Sequence, residues 1–91
     1  MDPIADFAAA YLHEDWQETH PDFSDVLATF IDEASRAKQT ALGLALVQLL
    51  DETRTEAETE SRLREHGWQV FFDDVPTRTV IRQVSEALLA L

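Results

Sequence analysis

Apolar residues recur along this chain at helical spacing, in blocks separated by short polar punctuation. Over residues 3–16, Ile4, Phe7, Ala8, Tyr11 and Leu12 fall at i, i+3, i+4, i+7 and i+8, which predicts one helix with a single apolar face. Pro3 suits its opening turn, where a missing N–H costs nothing. Over 23–35, Val26, Leu27, Phe30, Ile31 and Ala34 repeat the stripe, and Asp22 is placed to cap it. The block 37–52 is apolar on most of its circumference (Ala41, Leu42, Leu44, Ala45, Leu46, Val47, Leu49, Leu50), which puts that helix in the middle of a bundle. Gly43 within it costs about 1 kcal/mol relative to alanine, so a close neighbour is expected there. "TEAE" (55–58) reads as a capping box opening a polar helix over 56–66, with Ala57 and Leu63 its few apolar residues and Gly67 its stop. In "WQVFF" (68–72) the period changes: Trp68, Val70 and Phe72 alternate, which predicts an extended segment laid across the helices. A last helix is expected over 78–90, capped by Thr77 or Thr79, with Val80, Ile81, Val84, Leu88 and Leu91 inward.

The predicted fold class is therefore all-α: one domain spanning 1–91, a small antiparallel bundle of about five helices with one short extended aromatic segment. Composition agrees. Two glycines and three prolines leave little material for the tight turns of a β fold, and 45% hydrophobic residues is too many for a disordered chain. The absence of cysteine excludes disulfides and thiolate metal sites, so stability must come from helix packing. The longest apolar run, "ALGLALVQLL" (41–50), is short of the roughly 18 residues of a membrane span. The acidic start "MDPIADFAAAYLHEDW" lacks the basic region of a secretion signal. These features predict a soluble, cytoplasmic protein.

Charge changes the picture most. The net charge is −11, and residues 1–35 hold nine carboxylates (Asp2, Asp6, Glu14, Asp15, Glu18, Asp22, Asp25, Asp32, Glu33) with no lysine or arginine. Residues 36–91 hold nine carboxylates against seven basic residues, a net of −2. Such a field repels nucleic acid and membrane surfaces and draws in a basic partner. Asp22 and Asp25 suit the positive end of their helix, whereas Asp32 and Glu33 sit at its negative end and cost a few tenths of a kcal/mol each. The candidate chemistry lies in "YLHEDWQETH" (11–20). Its histidines, His13 and His20, are seven apart, not four as in a zinc-protease helix, so one zinc could take both only if the chain bends between them. The serines at 24, 35, 61 and 85 carry no nucleophile motif. No cofactor is implied.

"YLHEDWQETHPDFSDVLATFIDEAS" resembles the start of small immunity proteins from bacterial contact-dependent growth inhibition systems, which end their first helix with an aromatic-aliphatic-His-[Gln/Glu]-Asp-[Trp/Phe] motif. Tyr11, Leu12, His13, Asp15 and Trp16 match that motif and read as scaffold. "LVQLLDE" and "REHGWQVFF" continue the family pattern, so the resemblance covers about residues 4–91. "DDVPTRTVIRQV" departs from it, lacking the Gly-containing turn, the Tyr and the Trp usual there, and "THPD" replaces the usual Tyr-Gly turn. The resemblance implies a non-enzymatic, stoichiometric inhibitor that binds the C-terminal domain of a delivered toxin, commonly a nuclease and hence basic. Charge placement then suggests a toxin-facing surface made of Asp22, Asp25, Asp32 and Glu33, with Asp73 and Asp74, on a monomer that makes no direct nucleic-acid or membrane contact. Two other classes remain open from the residues alone. One is an acidic adaptor or nucleic-acid mimic that blocks another basic protein; the other is a small metal-dependent hydrolase using His13, Asp15 and His20.

Overall fold

The computed structural model describes residues 2–12 and 22–90. Among them are five helices and no strand: α1 (Pro3–Tyr11), α2 (Phe23–Glu33), α3 (Arg36–Glu52), α4 (Glu56–Glu65) and α5 (Thr77–Leu89). The all-α reading holds. α3 is the central element and packs against α1, α4 and α5. The predicted core residues are inside: Ile4, Phe7, Ala8, Leu12, Val26, Phe30, Leu42, Leu46, Leu49, Leu63, Ile81, Val84 and Leu88 are buried, together with Trp68 and Val70 of the extended segment. On α3, Ala41 and Leu44 are the exceptions, both exposed, Leu44 with 56% of its surface. Leu91 lies outside the described residues.

Several boundaries follow from local chemistry. Asp2 caps α1, its Oδ1 accepting from the amides of Ile4 and Ala5 at 3.1 and 3.2 Å. α1 ends at Tyr11, earlier than the predicted 16, with Leu12 as its C-cap; residues 13–16 lie outside the described part. Ser35 caps α3, its hydroxyl accepting from the Lys38 amide at 3.2 Å. Thr55 caps α4 by accepting from the Glu58 amide at 3.1 Å, while the Glu58 carboxylate accepts from the Thr55 hydroxyl at 3.3 Å. α4 closes in a Schellman motif: the Trp68 amide donates to Leu63 O and the Gly67 amide to Arg64 O, both at 3.0 Å, with Gly67 at φ +88°. That left-handed residue turns the chain into the extended segment.

Gly43 has the close neighbour its cost implied. A Cβ there would lie 2.8 Å from the Leu89 side chain and 3.3 Å from Leu88 Cβ, so α3 and α5 meet across a missing methyl.

α5 departs from expectation at its start. Neither Thr77 nor Thr79 caps it; Pro76 is the N-cap and has no side chain to offer. The Glu56 carboxylate of α4 accepts from the Arg78 amide instead, at 3.2 and 3.3 Å, and Thr77 donates its hydroxyl to Glu60 at 2.7 Å. The Arg78 guanidinium reaches inward. It donates to Thr53 O, Thr53 Oγ1 and Thr59 Oγ1, each at 2.9 Å, and to Leu50 O at 3.3 Å. A cation thus sits on the unsatisfied carbonyls that end α3, where both hydrogen bonding and the helix dipole favour it. This network ties α3, α4 and α5 together through polar groups. Gln39 does the same for α2, donating to Ile31 O and Ala34 O at 2.8 and 2.9 Å. Among the described residues, no buried side-chain nitrogen or oxygen lacks a partner.

Candidate functional site: an acidic face on the first two helices

The acidic surface is positioned by an aromatic cluster. Phe7 of α1 stacks on Tyr11 (centroids 5.4 Å, 26°) and meets Phe30 of α2 edge-on at 5.0 Å; Tyr11 meets Phe30 edge-on at 5.6 Å. These T-shaped and offset contacts suit the ring quadrupoles and fix α2 against α1. Trp68 is fully buried and touches both helices, lying 5.7 Å from Phe7 and 5.9 Å from Phe23. Its indole N–H donates to Val70 O at 2.8 Å. Phe72 meets Phe23 edge-on at 5.8 Å. Phe71 is half-buried under the Arg64 guanidinium, 4.5 Å from the ring centre.

This framework sorts the six predicted partner-facing residues into two groups. Asp22 and Asp25 lie at the start of α2. Asp22 has two roles: it is exposed, and its Oδ1 accepts from the Asp25 amide at 2.8 Å as the helix cap. The Phe23–Phe72 contact brings the adjacent Asp73, and with it Asp74, to this same end; both are exposed. Asp32 and Glu33 are exposed in the last turn of α2, ten residues further on, or about 15 Å along the axis. Asp25 and Asp32 are seven residues apart and share one side of the helix, so they link the two ends. Glu33 lies toward α1, where the Tyr11 hydroxyl donates to its Oε1 at 3.4 Å. No basic residue occupies the last turn of α2 to offset the two carboxylates.

Two ionisable groups at this face are shifted. Burial raises the Tyr11 phenol above its ordinary value, and the neighbouring Glu33 charge and hydrogen bond add to the rise. For Asp2, burial pushes the carboxyl up, but hydrogen bonds from the Ala5 amide, the His66 ring and the Ile4 amide outweigh it and hold the carboxyl below its usual value. His66, which ends α4, contacts Asp2 through Nδ1.

The basic side chains are occupied differently. Arg62 pairs with Glu52 at 3.0 Å and Glu65 at 3.7 Å, Arg64 with Glu60 at 3.9 Å, and Arg78 is turned into the α3–α5 network. These cations answer carboxylates and carbonyls of residues 36–91, not those of α1 and α2.

Sequence reasoning missed a groove where α1, α2 and α3 meet, with a volume of about 320 Å³. Its floor is Phe7, Phe30 and Leu42, and Asp6, Glu33 and Lys38 stand at its rim. The signal was present but split over three segments: exposed Asp6 and Ala10 on α1, Glu33 on α2, and exposed Lys38 and Ala41 on α3.

Of the front motif, Tyr11 is half-buried and Leu12 is buried. His13, Asp15 and Trp16, and with them His20, lie outside the described residues. Among the described residues, no group of three or more His, Asp or Glu could hold a metal ion. No helix of the described residues is long and apolar enough to cross a membrane.

No curated protein and no solved structure matches the chain. A protein-family model described as "CdiI immunity protein" matches residues 1–87, which takes in all five helices but the last two residues of α5. On that match, the chain belongs to the CdiI immunity protein family.

Proposed function

We propose that this protein neutralises one cognate contact-dependent growth inhibition toxin by binding its C-terminal domain and covering the active site, without turnover and without a cofactor. The toxin domain it fits is basic, as a nuclease must be to hold phosphates. The observation that carries this reading is the disposition of charge: residues 1–35 contain no lysine or arginine, and α2 displays Asp22, Asp32 and Glu33, with Asp25 half-buried between them and Asp73 and Asp74 at one end. An anionic plate speeds encounter with a cationic partner, and a few buried anchors then set how long the complex lasts. Rapid capture matters because a free toxin turns over substrate until it is bound. The complex forms in the cytoplasm, one monomer to one toxin domain.

The test is stopped-flow association with the toxin domain encoded beside this chain, with nuclease activity followed in parallel. Stoichiometric loss of that activity is expected. The double variant Asp25→Lys and Asp32→Lys should associate about tenfold more slowly at low salt, and the gap should narrow as salt is added. Equal rates for variant and parent at low salt would remove the acidic face from the mechanism.

A further inference from the structure

We infer that the groove between α1, α2 and α3 is the anchor pocket of the toxin complex and receives one arginine side chain of the toxin domain. This inference rests on the immunity reading above and adds the chemistry of the contact.

The groove is preformed. Tyr11 is held between Phe7 and Phe30 by ring contacts at 5.4 and 5.6 Å, so its half-buried ring presents a fixed wall. At about 320 Å³ the space is at the small end of ligand-sized cavities (about 300–1,000 Å³). Its mouth stays open because the exposed rim positions on α1 and α3 include the alanines Ala10 and Ala41. The apolar floor suits the aliphatic stem of a long side chain.

The rim selects the head group. Asp6 and Glu33 present two carboxylates against the single ammonium of Lys38. Glu33 is steadied by the Tyr11 hydroxyl, and the negative end of α2 adds to the field. A purely apolar occupant would strip water from two carboxylates and give nothing back. An anion would be repelled. A guanidinium satisfies both requirements, since it pairs with carboxylates in a fork and lies flat on an aromatic wall, which an ammonium does less well. Buried arginines in aromatic-lined pockets recur among the residues that dominate interfaces.

The experiment uses the full-length protein and a catalytically inactive form of the toxin domain encoded beside it. Ala41→Trp and Ala10→Trp each plug the groove from an exposed helix position and leave the core untouched; circular dichroism and thermal unfolding verify the fold. Both should raise Kd at least 30-fold, mainly through faster dissociation. Glu33→Gln should raise Kd about tenfold, and Lys38→Glu should lower it. One Arg→Ala change in the toxin domain should abolish the Glu33→Gln effect. If the parent protein binds but both tryptophan variants bind within threefold of it, the groove is not the anchor, and the immunity reading stands. If the tryptophan variants fail but Glu33→Gln and Lys38→Glu bind as the parent does, the occupant is apolar and the arginine assignment is overturned. If the parent protein itself neither binds nor protects, the immunity reading falls, and the pocket assignment falls with it.

Discussion

α1 and α2 carry their charges differently from α3, α4 and α5. In the second group, carboxylates and guanidiniums answer one another: Arg62 with Glu52 and Glu65, Arg64 with Glu60, Glu56 on the amide of Arg78. In the first group, the cohesive contacts are rings, from Phe7 to Tyr11 and Phe30, and Asp22, Asp32 and Glu33 lie on the outside. Both arrangements are stable solutions to packing. They differ in what remains available to another molecule. A part that satisfies its charges internally has little electrostatic free energy to offer a partner. A part held together by apolar contacts can leave its charges outward, where their mutual repulsion is relieved when a cationic surface arrives.

The contrast can be broken at several points. The largest effect is expected at Trp68, the side chain in contact with both α1 and α2. Trp68→Ala should cost about 3–5 kcal/mol, as deletion of a buried aromatic does, read as a fall in the urea midpoint. If the loss stayed under 1 kcal/mol, the ring cluster would not be the joint proposed for the acidic part.

Next comes Arg78→Met, which keeps the stem and removes the guanidinium from four acceptors. It should destabilise by about 2–3 kcal/mol, because charged hydrogen bonds are lost and buried carbonyls are orphaned. Toxin association should stay unchanged wherever the variant is folded. The lysine substitution at Asp32, exposed at the negative end of α2, should show the reverse pattern, with slower association and stability within about 0.5 kcal/mol of the parent, as surface changes give. A variant of either kind that moved both quantities together would dissolve the distinction between the two parts.

The smallest effect is expected at Asp2, where the parts touch through His66. Asp2→Asn keeps a good cap and removes the charge. The half-exposed position, open to solvent screening, limits the difference at neutral pH to a few tenths of a kcal/mol. Its pH dependence is more informative. The Asp2 carboxyl is depressed in the folded protein, so on acidification the unfolded chain takes up the proton first. The contribution is therefore present above the unfolded value, about 3.9, and is lost as pH falls through the lower folded value. The parent's advantage over Asp2→Asn should vanish at the acid end of a series of unfolding curves. An advantage that persisted there would mean the charge is not its source.

The parts of this fold that could be read from sequence are those whose causes are local. Stripes at three- and four-residue spacing located α1, α2 and α5, and a block apolar on most of its circumference located α3; Asp22, Thr55 and Gly67 act within four residues of themselves and were legible as caps and a stop. The start of α5 was not, because its cap comes from Glu56, twenty-two residues away. The destination of the Arg78 guanidinium, across twenty-five residues to Thr53, was hidden for the same reason. At the candidate site, charge asymmetry marked the acidic carboxylates, but their division between the two ends of α2 depends on the Phe23–Phe72 contact, which no periodicity encodes. The groove needed three helices in register before Asp6 and Lys38 could face a common space.

The carboxylate of Glu56 on the Arg78 amide, in the opening turn of α5, has a consequence for motion. If α4 lifted away, the opening turn of α5 would lose that acceptor while Pro76 supplied no replacement, and the guanidinium of the same arginine would leave the end of α3. The three helices are therefore expected to open together, so that their slowest amides share a single hydrogen-exchange free energy.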